Sequence, residues 1–507
     1  MKRIVSIILT LAMLLGMVSV STFAVAEEPQ LEHVTLEWYI SESEMPGNQE
    51  VFDALNAYFK EKINTTVNFH FITTTEYSQK VSAILTAGQP VDIVNANSNL
   101  PYVNYSNMDS FVALEELLPV YAPQTYAMIP EDFWGAMEIN GHIYGIPSYK
   151  DSVQMYCLMV NETLANELGM DFSNVVINNF NDAVPLLYEA YALRNEKFPE
   201  DADLPICRTF MDLEQWLPYE TINGLAIVNV PGVENFAGYG SGEIVFNKYA
   251  TDEYRAMCNT IAQMIEDGVL PADCWYYDPD RIYTAEGKWI IGDVGSGYVS
   301  VAKNHQSNNW DTMMVPYAYK IATTNYLHNA VECVSASSSN PERALMVLEL
   351  VNTDPWVATT MRFGTEGDFW VMSDEEGVLS FEGTKNEDPS NRAHYYWYGA
   401  QFGAVVHSYV PSGYAANYGE LLIAANESAI SDTNMGFIFD PTPVQNEIAA
   451  CNGVIGEFET NLKFGFIPLE DVNPTIDGFL EKLEANGADK IIAEAQKQLD
   501  AWRAENK

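Results

Sequence analysis

Aromatic residues set beside Asn, Asp, Glu and Gln are the side chains of this sequence whose types and spacing suggest a chemistry. They recur as Trp38-Tyr39, Tyr149-Lys150-Asp151, Trp275-Tyr276-Tyr277, Phe369-Trp370 and Tyr395-Tyr396-Trp397-Tyr398. Sugar rings offer C–H faces that stack on aromatic rings, and hydroxyls that need partners able to donate and accept. The mixture suits a neutral oligosaccharide. A single aromatic is more often a core residue, so weight falls on those at strand ends and in the irregular stretch 364–420.

Motifs for covalent chemistry are scarce. The sequence has no H-E-x-x-H, no G-x-S-x-G, no Walker phosphate loop and no complete G-x-G-x-x-G. Gly295-Ser296-Gly297 reads as a turn, because Ser300 holds the third glycine position. The 7 histidines are scattered, none three or four residues from another, so neither a metal site nor a cofactor is expected. A glycosidase needs two carboxylates facing a sugar. With 70 acidic residues that pair stays open, and a secreted glycosidase is the first alternative.

Strands and helices alternate at the start of the chain. Val34 to Ile40 alternates as a strand, Val51 to Lys62 has helical spacing, and Thr66 to Ile72 alternates again. Tyr77 to Ala87 is a second amphipathic helix, stopped by Gly88-Gln89-Pro90 before the short strand Val91 to Val94. This order predicts a parallel α/β sheet, whose ligands sit beyond the carboxyl ends of the strands. Those ends are Trp38-Tyr39-Ile40-Ser41-Glu42 and Asn95-Ala96-Asn97-Ser98. Further along, helices are expected at 111–118, 179–193, 254–267 and 340–351, and a hairpin at Asn140-Gly141. Asn473-Pro474 is read as the cap of a helix to about Ala485, followed by a last helix striped by Ile491, Ile492, Ala495, Leu499 and Trp502.

Lys2 and Arg3, the apolar run Ile4 to Val20 and Ala24-Val25-Ala26 form a secretory signal pattern, so residues 1–26 are expected to be removed and the rest to work outside the cytoplasm. No cysteine follows the apolar run, the first being Cys157, so a soluble exported protein without a lipid anchor is expected, periplasmic or in the cell envelope. The length calls for two or three domains, and no linker separates them. A formal charge of −45 argues against nucleic acid or anionic lipid as partners. The 6 cysteines allow disulfides, but their wide spacing favours buried thiols.

The order of several short segments resembles extracellular solute-binding protein family 1, in its LplA-like carbohydrate-binding subgroup. The segments are the opening 51–94, Asn140-Gly141-His142-Ile143-Tyr144-Gly145-Ile146-Pro147, Asn340-Pro341-Glu342-Arg343-Ala344, Phe363-Gly364-Thr365-Glu366-Gly367 with Phe369-Trp370, Trp397-Tyr398-Gly399-Ala400-Gln401-Phe402, and Gly436-Phe437-Ile438-Phe439-Asp440-Pro441. The resemblance implies an α/β, two-lobed periplasmic-binding-protein type II fold with a multi-crossing hinge. It implies an N-terminal lobe of 27–150 completed by about 321–365, a second lobe of 151–320 completed by about 366–435, and a C-terminal helical module of 436–507 packed on the lobes. It implies no catalysis, a monomer, an oligosaccharide ligand and delivery to an ABC transporter permease.

Carried onto this sequence, the expected ligand contacts are Trp38, Tyr39 and Glu42 at the first strand end and Asn95 and Asn97 after the third strand. Tyr149 and Asp151 stand near the first lobe crossing, and Trp275, Tyr298, Trp370 and Trp397 come from the second lobe and hinge. The aromatics would stack and the others read hydroxyls. A solute sensor for a membrane kinase or chemoreceptor is the second alternative, and an acidic oligosaccharide or a peptide are the other candidate solutes.

Overall fold

The computed structural model describes residues 31–202, 204–207, 216–217, 219–230, 238–272, 287–296, 311–388, 402–412 and 416–506. The expected leader 1–26 and the expected contacts Trp275, Tyr298 and Trp397 lie outside them.

Strand β1 (Val34–Ser41) turns Leu36, Trp38 and Ile40 inward, as its alternation requires. Helix α1 (Asn48–Ile63) buries Val51, Leu55, Phe59 and Ile63, one stripe at four-residue spacing, and stops where Asn64 turns left-handed at φ 48°. Then follow β2 (Thr65–Ile72), α2 (Thr74–Thr86), β3 (Ile93–Ala96) and, after the 138–143 hairpin, β4 (Gly145–Pro147). The second lobe holds β5 (Tyr156–Asn161), β6 (Tyr219–Thr221), β7 (Ala226–Asn229), β8 (Phe246–Asn247), helix α3 (Asp252–Glu266), β9 (Ile291–Ser296) and β10 (Thr312–Pro316). The chain returns through β11 (Ile321–Ala322) to β12 (Val331–Val334), α4 (Pro341–Thr353) and α5 (Pro355–Phe363). It ends with β13 (Ile430–Ser431) and the helices α6 (Gln445–Lys463), α7 (Leu469–Ala485) and α8 (Ala488–Glu505).

The first sheet has the order β2-β1-β3-β12-β4. β1 lies parallel to β2 and β3, but β12 runs antiparallel to both β3 and β4. The sheet is therefore mixed, where the opening segments alone predicted a parallel one. The antiparallel member arrives from about 240 residues further along the chain, beyond the reach of local alternation. In the second lobe β5 lies between β9 and β10, antiparallel to each.

Two hydrophobic cores define the lobes. One gathers residues from Leu36 to Cys157 and from Ala322 to Ala425. The other gathers Leu158 to Tyr317 and Val444 to Leu499. Among the described residues the chain thus passes between lobes three times, at Cys157–Leu158, at Tyr317–Ala322 and at Ala425–Val444. Residues 369–425 supply the first core with Phe369, Trp370, Phe381 and Phe402, so the segment expected to complete the second lobe completes the first. The C-terminal helices share the core of the second lobe.

Two local expectations are corrected. Phe111 to Leu117 is not helical, because Phe111 bridges to Ser335 and Leu114 N–H donates to Ile143 O at 2.7 Å, and the helix begins only at Leu118. Pro474 lies inside α7 rather than at its start. The helix begins a turn earlier because Glu266 receives Leu469 N–H at 3.2 Å, while Asn473 Oδ1 takes donors from Arg255 and Asn259, each at 3.1 Å. Cys157, Cys258, Cys333 and Cys451 are buried free thiols, Cys207 is buried, and Cys274 lies outside the described residues.

Candidate functional site

A cleft of about 790 Å³ opens where the three crossings meet. That size is ordinary for a small-molecule site. Each side of it is positioned by a local device. On the first lobe, Asn97 follows β3 and its Oδ1 accepts from Asn99 N–H at 2.8 Å and Leu100 N–H at 3.2 Å. That turn delivers Pro101 and Tyr102 to the cleft, the first turn of a short helix. The Tyr102 hydroxyl donates to Met137 O at 2.6 Å and accepts from Tyr144 N–H at 2.9 Å, which fixes the ring.

At the first crossing, Gln154 donates its amide to the Tyr156 hydroxyl at 2.9 Å, and both line the cleft. The crossing itself is tied down by Asn426, which accepts from Ser152 N–H at 3.2 Å and donates to Lys150 O at 2.8 Å. At the second crossing, Thr323 caps the turn Thr324–Leu327, which carries Asn325 and Tyr326 into the cleft. Opposite, β6 presents Tyr219, Glu220 and Thr221 from the second lobe. Asn325 Nδ2 joins the two sides, donating to Glu220 Oε1 at 2.9 Å and to Thr221 O at 2.6 Å.

His328 lies at the cleft floor against the Tyr102 ring, with centroids 4.9 Å apart. Burial pushes its pKa down to about 4, so the ring is neutral at pH 7. Nε2 lies 2.7 Å from Ala136 O, so it carries the proton and Nδ1 is left as an acceptor. Among the described lining residues, Glu220 is then the group able to carry charge at neutral pH. The remaining walls are amides, hydroxyls and rings, a composition that recognises hydroxyls without requiring an ion.

The expected contacts are dispersed by the structure, and of those described only Asn97 lines this cleft. Trp38 and Trp370 are core residues with 0% and 1% exposure. Trp38 packs on Phe69 and Phe402, and Trp370 donates its indole N–H to Gly364 O at 2.7 Å, so neither offers a free face. Tyr149 is buried beside the first crossing, and its carbonyl receives Val405 N–H at 3.0 Å. Tyr39 stacks on His70 at 4.4 Å, and Asn95 is buried with its backbone N–H on the Tyr77 hydroxyl at 3.0 Å. Glu42 and Asp151 are half-buried, and desolvation raises both carboxyls above their ordinary range. Neither lines the cleft.

Sequence reasoning missed Tyr102, Tyr156, Tyr219, Asn325, Tyr326 and Phe439. The pattern of a ring beside an amide or carboxylate was present at Tyr219-Glu220, Asn325-Tyr326 and Phe439-Asp440. It was outweighed there because these residues leave no strand of the first sheet.

Three likenesses to known proteins bear on this geometry. Residues 433–504 match a family model described as a domain of unknown function, DUF3502. The chain is 24% identical over 464 residues, 90% of its length and 89% of the relative's, to a carbohydrate ABC transporter substrate-binding protein of Streptococcus pneumoniae. It also superposes on the crystal structure of an N-glycan transport solute-binding protein of Streptococcus pneumoniae, with TM-score 0.76 and 21% identity, covering 94% of this chain and 100% of that one. The fold is that of the two-lobed solute-binding proteins. Against the same pneumococcal protein in complex with Man5GlcNAc, the TM-score is 0.62 at equal identity and coverage. At the same identity and coverage, this chain therefore superposes better on the first of those two structures than on the second.

The Asn325 contact is the polar tie that spans the cleft mouth. Asn325→Asp would set a carboxylate against Glu220 and the Thr221 carbonyl, replacing two donated bonds with repulsion. The expected result is a lower melting temperature and a larger radius of gyration by X-ray scattering in the absence of ligand. An unchanged radius and melting curve would show that the tie carries no weight.

Proposed function

We propose that this chain is the extracytoplasmic solute-binding component of an ABC importer, that it holds an oligosaccharide in the interlobe cleft, and that it hands the sugar to a membrane permease without turning it over. The observation that carries this reading is the cleft itself. It lies between two lobes and at their crossings, and its described lining combines Tyr102, Tyr156, Tyr219 and Tyr326 with Asn97, Asn104, Gln154 and Asn325. Rings for C–H faces and amides for hydroxyls are what a neutral glycan needs. Among the described lining residues, the one acidic side chain is Glu220, itself tied by Asn325, and this favours a neutral glycan over an acidic one.

The named functions of its relatives support the same reading. One is a carbohydrate transporter component and another has been solved with Man5GlcNAc bound. A ligand drives closure only if it binds the closed arrangement better, so contacts from both lobes are required. Here the first lobe supplies Asn97 and Tyr102, and the second supplies Tyr219 and Glu220.

The test is a thermal-shift screen of the protein without residues 1–26, against Man5GlcNAc, a fructan trisaccharide, an acidic oligosaccharide and an uncharged peptide. A ligand that binds only the folded state must raise the melting temperature. A neutral sugar should raise it with no release of reducing ends over hours. A shift with the peptide or the acidic sugar alone, or consumption of the glycan, would contradict the proposal.

A further inference from the structure

The segment from Ile430 to Pro441 lies in the third crossing, and it lends Ile438, Phe439 and Pro441 to the cleft wall. It starts on the first lobe, where Ser431 Oγ donates to Asp132 Oδ2 at 2.8 Å and β13 pairs in parallel with β11. Gly436 N–H then donates to Thr324 Oγ1 at 2.8 Å, on the turn that carries Asn325. Asn434 donates to Gly242 O at 2.8 Å and accepts from Arg503 at 2.8 Å, which fastens the strap to the second lobe and to α8. Its side chains divide between the lobes. Met435 and Ile438 pack against the first core, and Phe437 and Phe439 against the second.

Behind this strap lies a smaller chamber of about 120 Å³ that shares Glu220, Asn325, His328, Ile438 and Phe439 with the main cleft. Its wall also includes Asp432, which is only 3% exposed. Among the described residues no side chain donates a hydrogen bond to either oxygen of the Asp432 carboxylate. Burial pushes this acid up to about 6, although the backbone of Asn434 and Thr433 and the Arg503 charge pull the other way. A buried carboxylate served only by its own turn's backbone still has acceptor capacity to fill, and leaving it unfilled is costly.

We infer that this chamber is a subsite of the glycan cleft, that it takes a small hydroxyl- or amide-bearing substituent projecting from the sugar chain, and that Asp432 accepts its hydrogen while Phe439 walls its mouth. The inference rests on the glycan-binding reading and deepens it. It also gives the start of the C-terminal module a role, because that module supplies Ile438 and Phe439 to both spaces. Asp432 accepts from a donor and not from an ether or a methyl group, so the chamber discriminates between sugars that differ only in that substituent.

The test compares the wild-type protein with Asp432→Asn and Phe439→Ala, using Man5GlcNAc as probe and the fructan trisaccharide as a second. A donated bond to a charged acceptor predicts that Asp432→Asn weakens the bound sugar by about tenfold to a hundredfold. The melting temperature of unliganded Asp432→Asn should stay level or rise, since the variant removes a buried charge. Phe439→Ala should weaken the same sugar and serves if Asp432→Asn does not fold. Full affinity in either folded variant would overturn the subsite. So would an affinity loss in Asp432→Asn that tracks a drop in the unliganded melting temperature, which marks a structural role. If the wild-type protein binds neither sugar, the failure lies with the glycan reading and the subsite falls with it.

Discussion

Glu332→Gln is expected to stabilise the protein progressively as pH rises from 5 to 8.5, relative to wild type, and to leave it little changed at pH 5. Glu332 sits on β12 in the middle of the first sheet with no exposed surface. Burial pushes its carboxyl up to about 8, while the Gly403 backbone, the Arg362 guanidinium and the Asn352 amide draw it back only in part. Arg362 is itself committed, donating to Ala358 O at 3.0 Å and Phe402 O at 2.7 Å.

The folded chain therefore holds a proton that the unfolded chain releases near the ordinary value of 4.5. Between those two values the folded state binds more protons, so raising the pH over that window lowers stability. The loss is complete above about pH 8 and on the order of 3–5 kcal/mol. Glutamine keeps the shape and cannot ionise. Other groups titrate nearby, since Asp432 is raised to about 6 and His328 lowered to about 4, but their effects cancel in the difference between the two proteins. Melting curves at half-unit pH steps read this directly. Parallel curves for the two proteins would show that Glu332 reaches water or a firm cation.

Gly145→Ala is expected to cost about 2–3 kcal/mol, while Gly141→Ala, four residues away, costs about 1–2 kcal/mol. The reasons differ. Gly145 lies in β4, and a methyl group there would stand 2.4 Å from Val331 Cγ1 and 3.1 Å from Glu332 O on β12. Val331 is wholly buried, and a backbone oxygen in a sheet does not yield, so the strands must part. At Gly141 a methyl group would meet open space, and the cost is that of holding alanine at φ 83°. Urea unfolding with equal slopes would report the two losses as midpoint shifts. Equal shifts for both variants, or a larger one for Gly141→Ala, would contradict the account of β4.

These two residues show what was legible in the sequence. The Asn140 to Pro147 segment stood out as a hairpin, and Asn140 does adopt φ 53° beside Gly141. Elements carried by local periodicity were equally plain, as in β1, α1 and α4. The partner of β4 was not plain, because β12 lies about 190 residues away and only the folded sheet joins them. The same limit governed the site. Strand-end logic named Asn97, which does line the cleft beyond β3. It also promoted Trp38, whose alternation pointed it into the core with Leu36 and Ile40. Tyr219, Asn325 and Phe439 come from three different passages of the chain. Composition marked each as polar-aromatic, but nothing local says that three passages converge.

Titration calorimetry of a neutral oligosaccharide panel into the protein lacking residues 1–26 tests the central claim most directly. Saturable one-to-one binding of a neutral glycan, lost or weakened in Tyr156→Ala, with heat that ends at saturation, is the result predicted. No saturable heat with any neutral glycan, or heat that continues as the sugar is consumed, would contradict a transport receptor with its ligand at the three-crossing cleft.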